Sequence, residues 1–229
     1  MSVMVTGGTG FIGNRIIRML LDRGEEVVCF DLAPPRANLT PYLDRVKLYR
    51  GDVTQIPQLL EAINTHQVHK IIHMAALLPP DTEDRPHFGM LVNIQGTNNI
   101  FEVARWTNIQ RVVYASSIAV YGVQETFGDR PVNEDDLTAP INMYGMTKAT
   151  NDFAAAKYRA NYGLDIRGVR ICTVFGHGRV TGMTGMIGGL MMSLPAVGQP
   201  VSMDFHPQEA SPMIHAEDAA EIFVEVALK

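Results

Sequence analysis

Tyr144 and Lys148 stand four residues apart in Tyr144-Gly145-Met146-Thr147-Lys148, a spacing that puts a phenol and an ammonium on one face of a helix. A phenol with an ordinary pKa of about 10 is a poor base at neutral pH, and a nearby ammonium stabilises the phenolate and draws that value down. Such a pair can take a proton from an alcohol or return one to a carbonyl. The plainer alternative is a surface pair worth about 0.2–0.5 kcal/mol. A second constellation opens the chain. Gly7, Gly10 and Gly13 in Thr6-Gly7-Gly8-Thr9-Gly10-Phe11-Ile12-Gly13 give the spacing G-x-x-G-x-x-G between the run Val3-Met4-Val5 and the pattern Ile16, Ile17, Leu20, Leu21. The first glycine permits a tight turn, the second lets the backbone approach a pyrophosphate, and the third allows close helix–strand packing. The free amides and positive end of the following helix then face the anion.

A second apolar run, Val27-Val28-Cys29-Phe30, ends in Asp31, where a dinucleotide fingerprint expects an acid to accept hydrogen bonds from the adenosine ribose. Its alternative is a strand-end turn residue ahead of Pro34-Pro35. A carboxylate there repels a 2′-phosphate and so favours NAD over NADP, with nearby Arg36 keeping NADP as the alternative. An oxidised nicotinamide, being cationic, would lower the Tyr144 pKa further, and hydride could leave the carbon whose hydroxyl gives up the proton. His66, His69 and His73 straddle an expected helix–strand boundary and share no face, so no metal site is expected. Cys29 and Cys172 lie in strand-like apolar runs and read as buried thiols rather than a disulfide or metal ligands.

The net charge of −5, without a basic stripe, argues against nucleic acid as a partner. With 46% hydrophobic and 19% charged residues, the 229-residue chain has ordinary globular composition and enough length for a substantial core. No apolar run is long enough to cross a bilayer, and the N-terminus runs directly into a strand without a basic leader; a soluble, cytoplasmic protein is expected.

Strands are expected near 3–6, 26–31, 46–50, 70–74, 111–116 and 165–172. Helices are expected near 11–23, 56–64, 86–107 and 142–161. Strands separated by helices of this length need crossover connections, which gives an α/β, doubly wound parallel sheet with its ligand crevice at the carboxyl ends of the strands. Asp52-Val53, Ala75-Ala76 and Ser116-Ser117 fall at such ends, although Ala75 and Ala76 equally suit close packing. Beyond 176, Gly182, Gly185, Gly188 and Gly189 interleave with Met183, Met186, Met191 and Met192, which suits either a mobile wall over a substrate or an irregular helix on the core.

The motifs TGGTGFIG, Asp31, Asp52-Val53, Val92-Asn93-Ile94-Gln95-Gly96-Thr97, Ser116-Ser117-Ile118-Ala119-Val120-Tyr121-Gly122 and Tyr144-x-x-x-Lys148, taken in order, resemble the extended short-chain dehydrogenase/reductase family, also called the NAD-dependent epimerase/dehydratase family. Pro212-Met213-Ile214-His215-Ala216-Glu217-Asp218 is similar to the family's late I-H-x-x-D segment. The resemblance implies a Rossmann NAD-binding domain over 1–175 and a reduced, partial substrate-binding region over 176–229 packed on it. It implies that Gly7, Gly10 and Gly13, with Phe11 and Ile12 in the same loop, bracket the pyrophosphate. Asp31 then holds the ribose, Asp52 and Val53 lie against adenine, Ala75 and Ala76 border the central part of the cofactor, and Asn93 sits near the nicotinamide half. Ser117, rather than Ser116, would hydrogen-bond the reacting oxygen. Tyr144 would be the acid/base, and Lys148 would lower its pKa and bind the nicotinamide ribose. A small-molecule substrate and a homodimer built on the helices near 86–107 and 142–161 also follow from the resemblance.

Two departures bear on the substrate. Thr173 stands where nucleotide-sugar members carry asparagine, and the chain ends at Lys229 inside an expected helix from Glu217, where relatives continue into a substrate-capping region. The Ser116–Gly122 loop and Ser211-Pro212-Met213-Ile214 look like members that oxidise small hydroxy compounds, such as the threonine dehydrogenase branch. The expected activity is an NAD-dependent oxidoreductase. The alternatives are a nucleotide-sugar epimerase or dehydratase and a non-catalytic NAD-binding protein.

Overall fold

The apolar runs form strands β1 (Ser2–Thr6), β2 (Glu26–Asp31), β3 (Val46–Arg50), β4 (Lys70–His73), β5 (Arg111–Ser117) and β6 (Ile166–Ile171) in the computed structural model, which describes residues 1–35, 37–179, 185–202 and 210–229. They join into one parallel sheet in the order β3-β2-β1-β4-β5-β6. The central strands read as continuous hydrophobic runs because both faces are covered: β1 is buried at all five positions, whereas the edge strand β3 is mostly exposed.

Alternation along the strands feeds two cores. Val3, Val5, Val27, Cys29, Ile72 and Val113 pack under α1 (Gly13–Asp22) and, through Ala220, Phe223 and Val224, under a C-terminal helix. Met4, Val28, Phe30, Ile71 and Val112 face the opposite way, toward α2 (Ile56–Thr65) and the helices of residues 81–162. Those helices are α3 (Asp81–Asp84), α4 (Pro86–Met90), α5 (Gly96–Trp106) and α6 (Met143–Tyr162). They are followed by β7 (Thr173–Phe175), α7 (Met191–Ala196), β8 (Met213–His215) and the C-terminal helix α8 (Ala216–Leu228). This is a doubly wound α/β fold, and its crossovers reverse direction between β1 and β4. The crevice lies at that reversal, outside the carboxyl ends of the strands.

The structure differs from the sequence expectation in three places. The helix expected over 86–107 is broken: a π turn at Leu91–Gln95 separates α4 from α5, and it carries Asn93. An inserted residue of this kind re-aims a side chain, here into the buried interior. β7 and β8, too short for periodicity to reveal, pair in parallel as a separate two-stranded sheet. In the glycine–methionine segment, Met186–Leu190 is a π turn leading into α7, with the Gly176 amide bonded to the Gly188 carbonyl at 2.8 Å. That is the irregular-helix alternative; Gly182, Met183 and the NADP-favouring Arg36 lie outside the described residues. Among the described residues no helix is long and apolar enough to cross a membrane, and no group of three or more His, Cys, Asp and Glu is placed to hold a metal ion.

Candidate active site

The glycine loop is built for close approach. Gly7 has φ +66°, and a Cβ there would stand 2.7 Å from the Ala75 amide nitrogen on the far side of the crevice. A Cβ on Gly13 would overlap the Gly7 carbonyl. The turn is closed by Gly7 N–H to Phe30 O at 2.9 Å and Gly10 N–H to Gly7 O at 3.0 Å. α1 begins with no side-chain cap and no acidic residue in its first turn, which leaves its positive end for an anion.

Asp31 accepts three hydrogen bonds: from the Thr9 amide at 2.9 Å, the Thr9 hydroxyl at 2.8 Å and the Ala33 amide at 2.9 Å. It therefore orders the loop as well as offering a carboxylate to the neighbouring cavity of about 430 Å³, lined by Thr9, Asp31, Pro34, Leu48 and Arg50. Asp31→Ala is expected to weaken NAD binding about tenfold to a hundredfold, the worth of one or two charge-assisted hydrogen bonds, and NADP binding much less. Equal losses in parallel calorimetric titrations would contradict a ribose role.

The other positions named from sequence spread along the crevice and its floor. Two guanidinium groups stand over the Phe11 ring, Arg15 at 4.5 Å and Arg179 at 5.5 Å from its centroid. Phe11 and Ile12 pack against the small core of Val174, Ala216 and Ala219. Asp52 accepts the Thr54 amide at 2.8 Å, while Val53 is buried in the core and its carbonyl accepts from the Asn99 amide group at 3.0 Å. Ala75 backs onto Gly7, and both Ala75 and Ala76 are half-buried.

Ser117, Tyr144 and Lys148 come together at the carboxyl end of β5. Ser117 Oγ accepts the Ala119 amide at 3.2 Å and stands beside the Tyr144 phenol, whose pKa it pulls down. Ser116, on the opposite face of the strand, is fully buried, and its hydroxyl has no partner among the described residues. Lys148 is 4% exposed; its ammonium donates to the Ala115 carbonyl at 2.7 Å and lies 5.4 Å from the Tyr144 ring centroid. Burial pulls it down to about 8, opposed by the charge of Asp152. The expectation that Lys148 sets a lowered Tyr144 pKa is corrected. Burial raises the phenol above its usual range, and the opposing influences are the Ser117 hydroxyl and the Arg179 charge.

Beneath these groups runs a buried polar chain. Thr6 Oγ1 meets His73 Nδ1 at 2.6 Å, His73 Nε2 meets Thr97 Oγ1 at 3.0 Å, and Thr97 donates to the Asn93 carbonyl at 2.7 Å. Since Thr97 spends its proton on Asn93, His73 donates from Nε2 and accepts at Nδ1. The Asn93 amide exchanges two bonds with Leu77, at 2.8 and 3.0 Å, which fixes the crevice wall to the π turn.

Burial, with the Lys148 charge second, pushes His73 down to about 3. The folded value lies below the unfolded one of about 6.5, so below that pH the unfolded chain binds the extra proton. Stability present at neutral pH therefore falls as pH drops through the window, by up to about 1.4 kcal/mol per unit. Urea unfolding at pH 7.5 and 5.5 should show a larger loss in wild type than in His73→Gln; equal losses would contradict this.

The profile of the NAD dependent epimerase/dehydratase family matches residues 3–229. The chain belongs to that family. Its members are NAD-dependent enzymes, and its relatives include both dehydrogenases and epimerases. The chain is 31% identical over 189 residues to D-erythronate dehydrogenase of Cupriavidus necator, covering 76% of this chain and 55% of that protein. It is 30% identical over 178 residues to a putative UDP-glucose 4-epimerase of Methanocaldococcus jannaschii, covering 76% and 56%. The structure of the Thermus thermophilus UDP-glucose 4-epimerase complexed with NAD superposes with a TM-score of 0.87 at 25% identity, over 100% of this chain and 75% of that one. The chain thus spans little more than half the length of these curated relatives.

Three residues of this family member escaped the sequence reading. Glu83 of α3 accepts the Met143 and Tyr144 amides, both at 3.1 Å, and so caps the helix that carries Tyr144 from 60 positions away. Arg179 follows a glycine-flanked stretch without periodicity. Asp152 had a local signal, four residues beyond Lys148 on the same helix, and its significance emerges only from what β5 and β6 bring to it.

Proposed function

We propose that this chain is an NAD-dependent oxidoreductase that exchanges hydride between nicotinamide and a secondary alcohol or ketone of a small molecule. The observation that carries this reading is the meeting of the Ser117 hydroxyl, the Tyr144 phenol and the Lys148 ammonium at the end of β5, beside the crevice walled by Gly7 and Ala75. In this reading Gly7, Gly10 and Gly13, with Phe11 and Ile12, cradle the pyrophosphate, and Asp31 holds the ribose. Asp52 and Val53 flank the adenine side, Ala75 and Ala76 the centre, and Asn93 the nicotinamide half. NAD, when bound, supplies the hydride acceptor. Tyr144 takes the hydroxyl proton, Ser117 aligns the reacting oxygen, and Lys148 holds positive charge near the phenolate and reaches the nicotinamide ribose. Residues 176–229 form the substrate-facing part.

The dehydrogenase among the relatives and Thr173, in place of the asparagine of nucleotide-sugar members, favour net oxidation of a small hydroxy compound. The epimerase relatives support the second reading, in which hydride returns within one cycle. Incubation with NAD and a panel of hydroxy acids, amino alcohols and UDP-sugars, followed at 340 nm, separates them. NADH accumulates in the first case; in the second, a sugar nucleotide is converted without NADH.

Phe153, Tyr162, Trp106 and Leu91 expose large apolar surface along the helices of residues 86–106 and α6, with Phe153 66% exposed. This supports a homodimer through those helices; a monomer mass by light scattering at micromolar concentration would overturn it.

A further inference from the structure

Lys148 is a cation in a nearly closed place. Its direct partner is a neutral carbonyl, that of Ala115, and a buried charge served only by dipoles tends to shed its proton. The groups facing it from each packed element can be named. Tyr144 lies one turn back on α6, His73 on β4 is held neutral between two threonines, and Ser117 and Ala115 belong to β5. Among the described residues the anion acting on it is Asp152, one turn forward on α6 and only 13% exposed.

Asp152 is not free to turn away. Its Oδ1 accepts the Tyr114 hydroxyl of β5 at 2.8 Å, and its Oδ2 accepts Arg170 Nε of β6 at 2.8 Å. Arg170 continues to the Tyr121 hydroxyl, stacks over the Tyr121 ring at 5.0 Å, and reaches the Glu134 carbonyl at 2.8 Å. Tyr121 closes the short turn Ile118–Tyr121 that follows Ser117. One carboxylate thus ties the helix of Tyr144 and Lys148 to the strand end and turn of Ser117.

We propose that Asp152 is a positioning residue: pinned by Tyr114 and Arg170, it keeps Lys148 charged inside the fold and so sustains proton exchange at Tyr144. The second half rests on the oxidoreductase reading; the first does not. The charge of Asp152 is also the influence that opposes desolvation of Lys148. Arg170 partly neutralises Asp152, so the two substitutions should act in opposite directions. Asp152→Asn removes the anion and lets Lys148 lose its proton at lower pH; Arg170→Gln unmasks the anion and holds the proton to higher pH. A merely structural role would not give opposite signs.

The test uses the 229-residue protein labelled with [ε-¹³C]lysine and no added cofactor or substrate. The sequence has five lysines, and Lys148 is assigned by Lys148→Arg. The expected order of Lys148 titration midpoints by NMR is Asp152→Asn lowest, wild type and Asp152→Glu together, and Arg170→Gln highest. Each unit of downward shift leaves about a tenth as much charged Lys148 on the alkaline side, and kcat/KM there should fall in proportion. Unmoved midpoints in folded Asp152→Asn, or in Arg170→Gln should the first variant not fold, overturn the proposal. Midpoints that move as expected in a protein that turns over nothing support the hold on Lys148 and sink the oxidoreductase reading instead.

Discussion

Tyr144→Phe is expected to lower kcat by about 10²–10⁴-fold, the usual worth of a positioned acid/base, while leaving NAD affinity within about threefold of wild type. The change deletes one oxygen from a half-buried ring and keeps the ring volume. The contact with Ser117 is lost, but Lys148 keeps its bond to the Ala115 carbonyl, and the glycine loop is untouched. Initial rates at 340 nm with the substrate found by screening, together with calorimetric titration of NAD, check both halves. Unchanged turnover would remove Tyr144 from the chemistry; lost NAD affinity would mean that the hydroxyl is part of the binding surface. Burial also predicts the pH dependence. With the phenol held above its ordinary range and Lys148 pulled down to about 8, phenolate and ammonium coexist only in a minor form, so oxidation should quicken with pH up to about 8 and then level off, each gain in phenolate being offset by lost charge on Lys148. The pH profile is therefore set by two residues one helical turn apart.

Legibility followed range. The sheet could be read because a strand covered on both faces announces itself as a run such as Val27–Phe30, and the helices α1 and α2 because their apolar stripes repeat every three to four residues. The Tyr144–Lys148 pair could be read because four residues is one turn. The choice of Ser117 over Ser116 came from the resemblance to the family, because strand alternation aims the two at opposite faces without saying which faces the crevice. The raised Tyr144 pKa was missed because desolvation depends on everything packed around a group, and spacing carries no record of that. Glu83 and the Tyr114–Asp152–Arg170–Tyr121 chain were invisible for the same reason: their partners are separated by 18 to 61 positions. The π turn at Asn93 is one extra residue in an otherwise helical pattern, below what periodicity resolves.

Gly13→Ala is the sharper test of the opening loop, because helix propensity and packing give opposite answers. Alanine is better than glycine in a helix by about 1 kcal/mol, and Gly13 is the first residue of α1, so propensity alone predicts stabilisation. Packing wins, since the added Cβ would overlap the Gly7 carbonyl and crowd Gly8, backbone atoms that cannot swing aside as a side chain tip can. The loop must open, and with it the turn that places the α1 amides and the neighbouring Ala75 backbone. The expected result is about 1–3 kcal/mol of stability lost in urea unfolding, the ordinary cost of overpacking, and NAD affinity reduced at least about a hundredfold by calorimetry. Gly24→Ala is the control: Gly24 has φ +81° with nothing within 4 Å of a new Cβ, so backbone strain of about 1 kcal/mol should appear in stability and leave NAD affinity unchanged. If both variants bound NAD equally well, the glycine spacing would be a packing device between β1 and α1 rather than the cradle of a pyrophosphate.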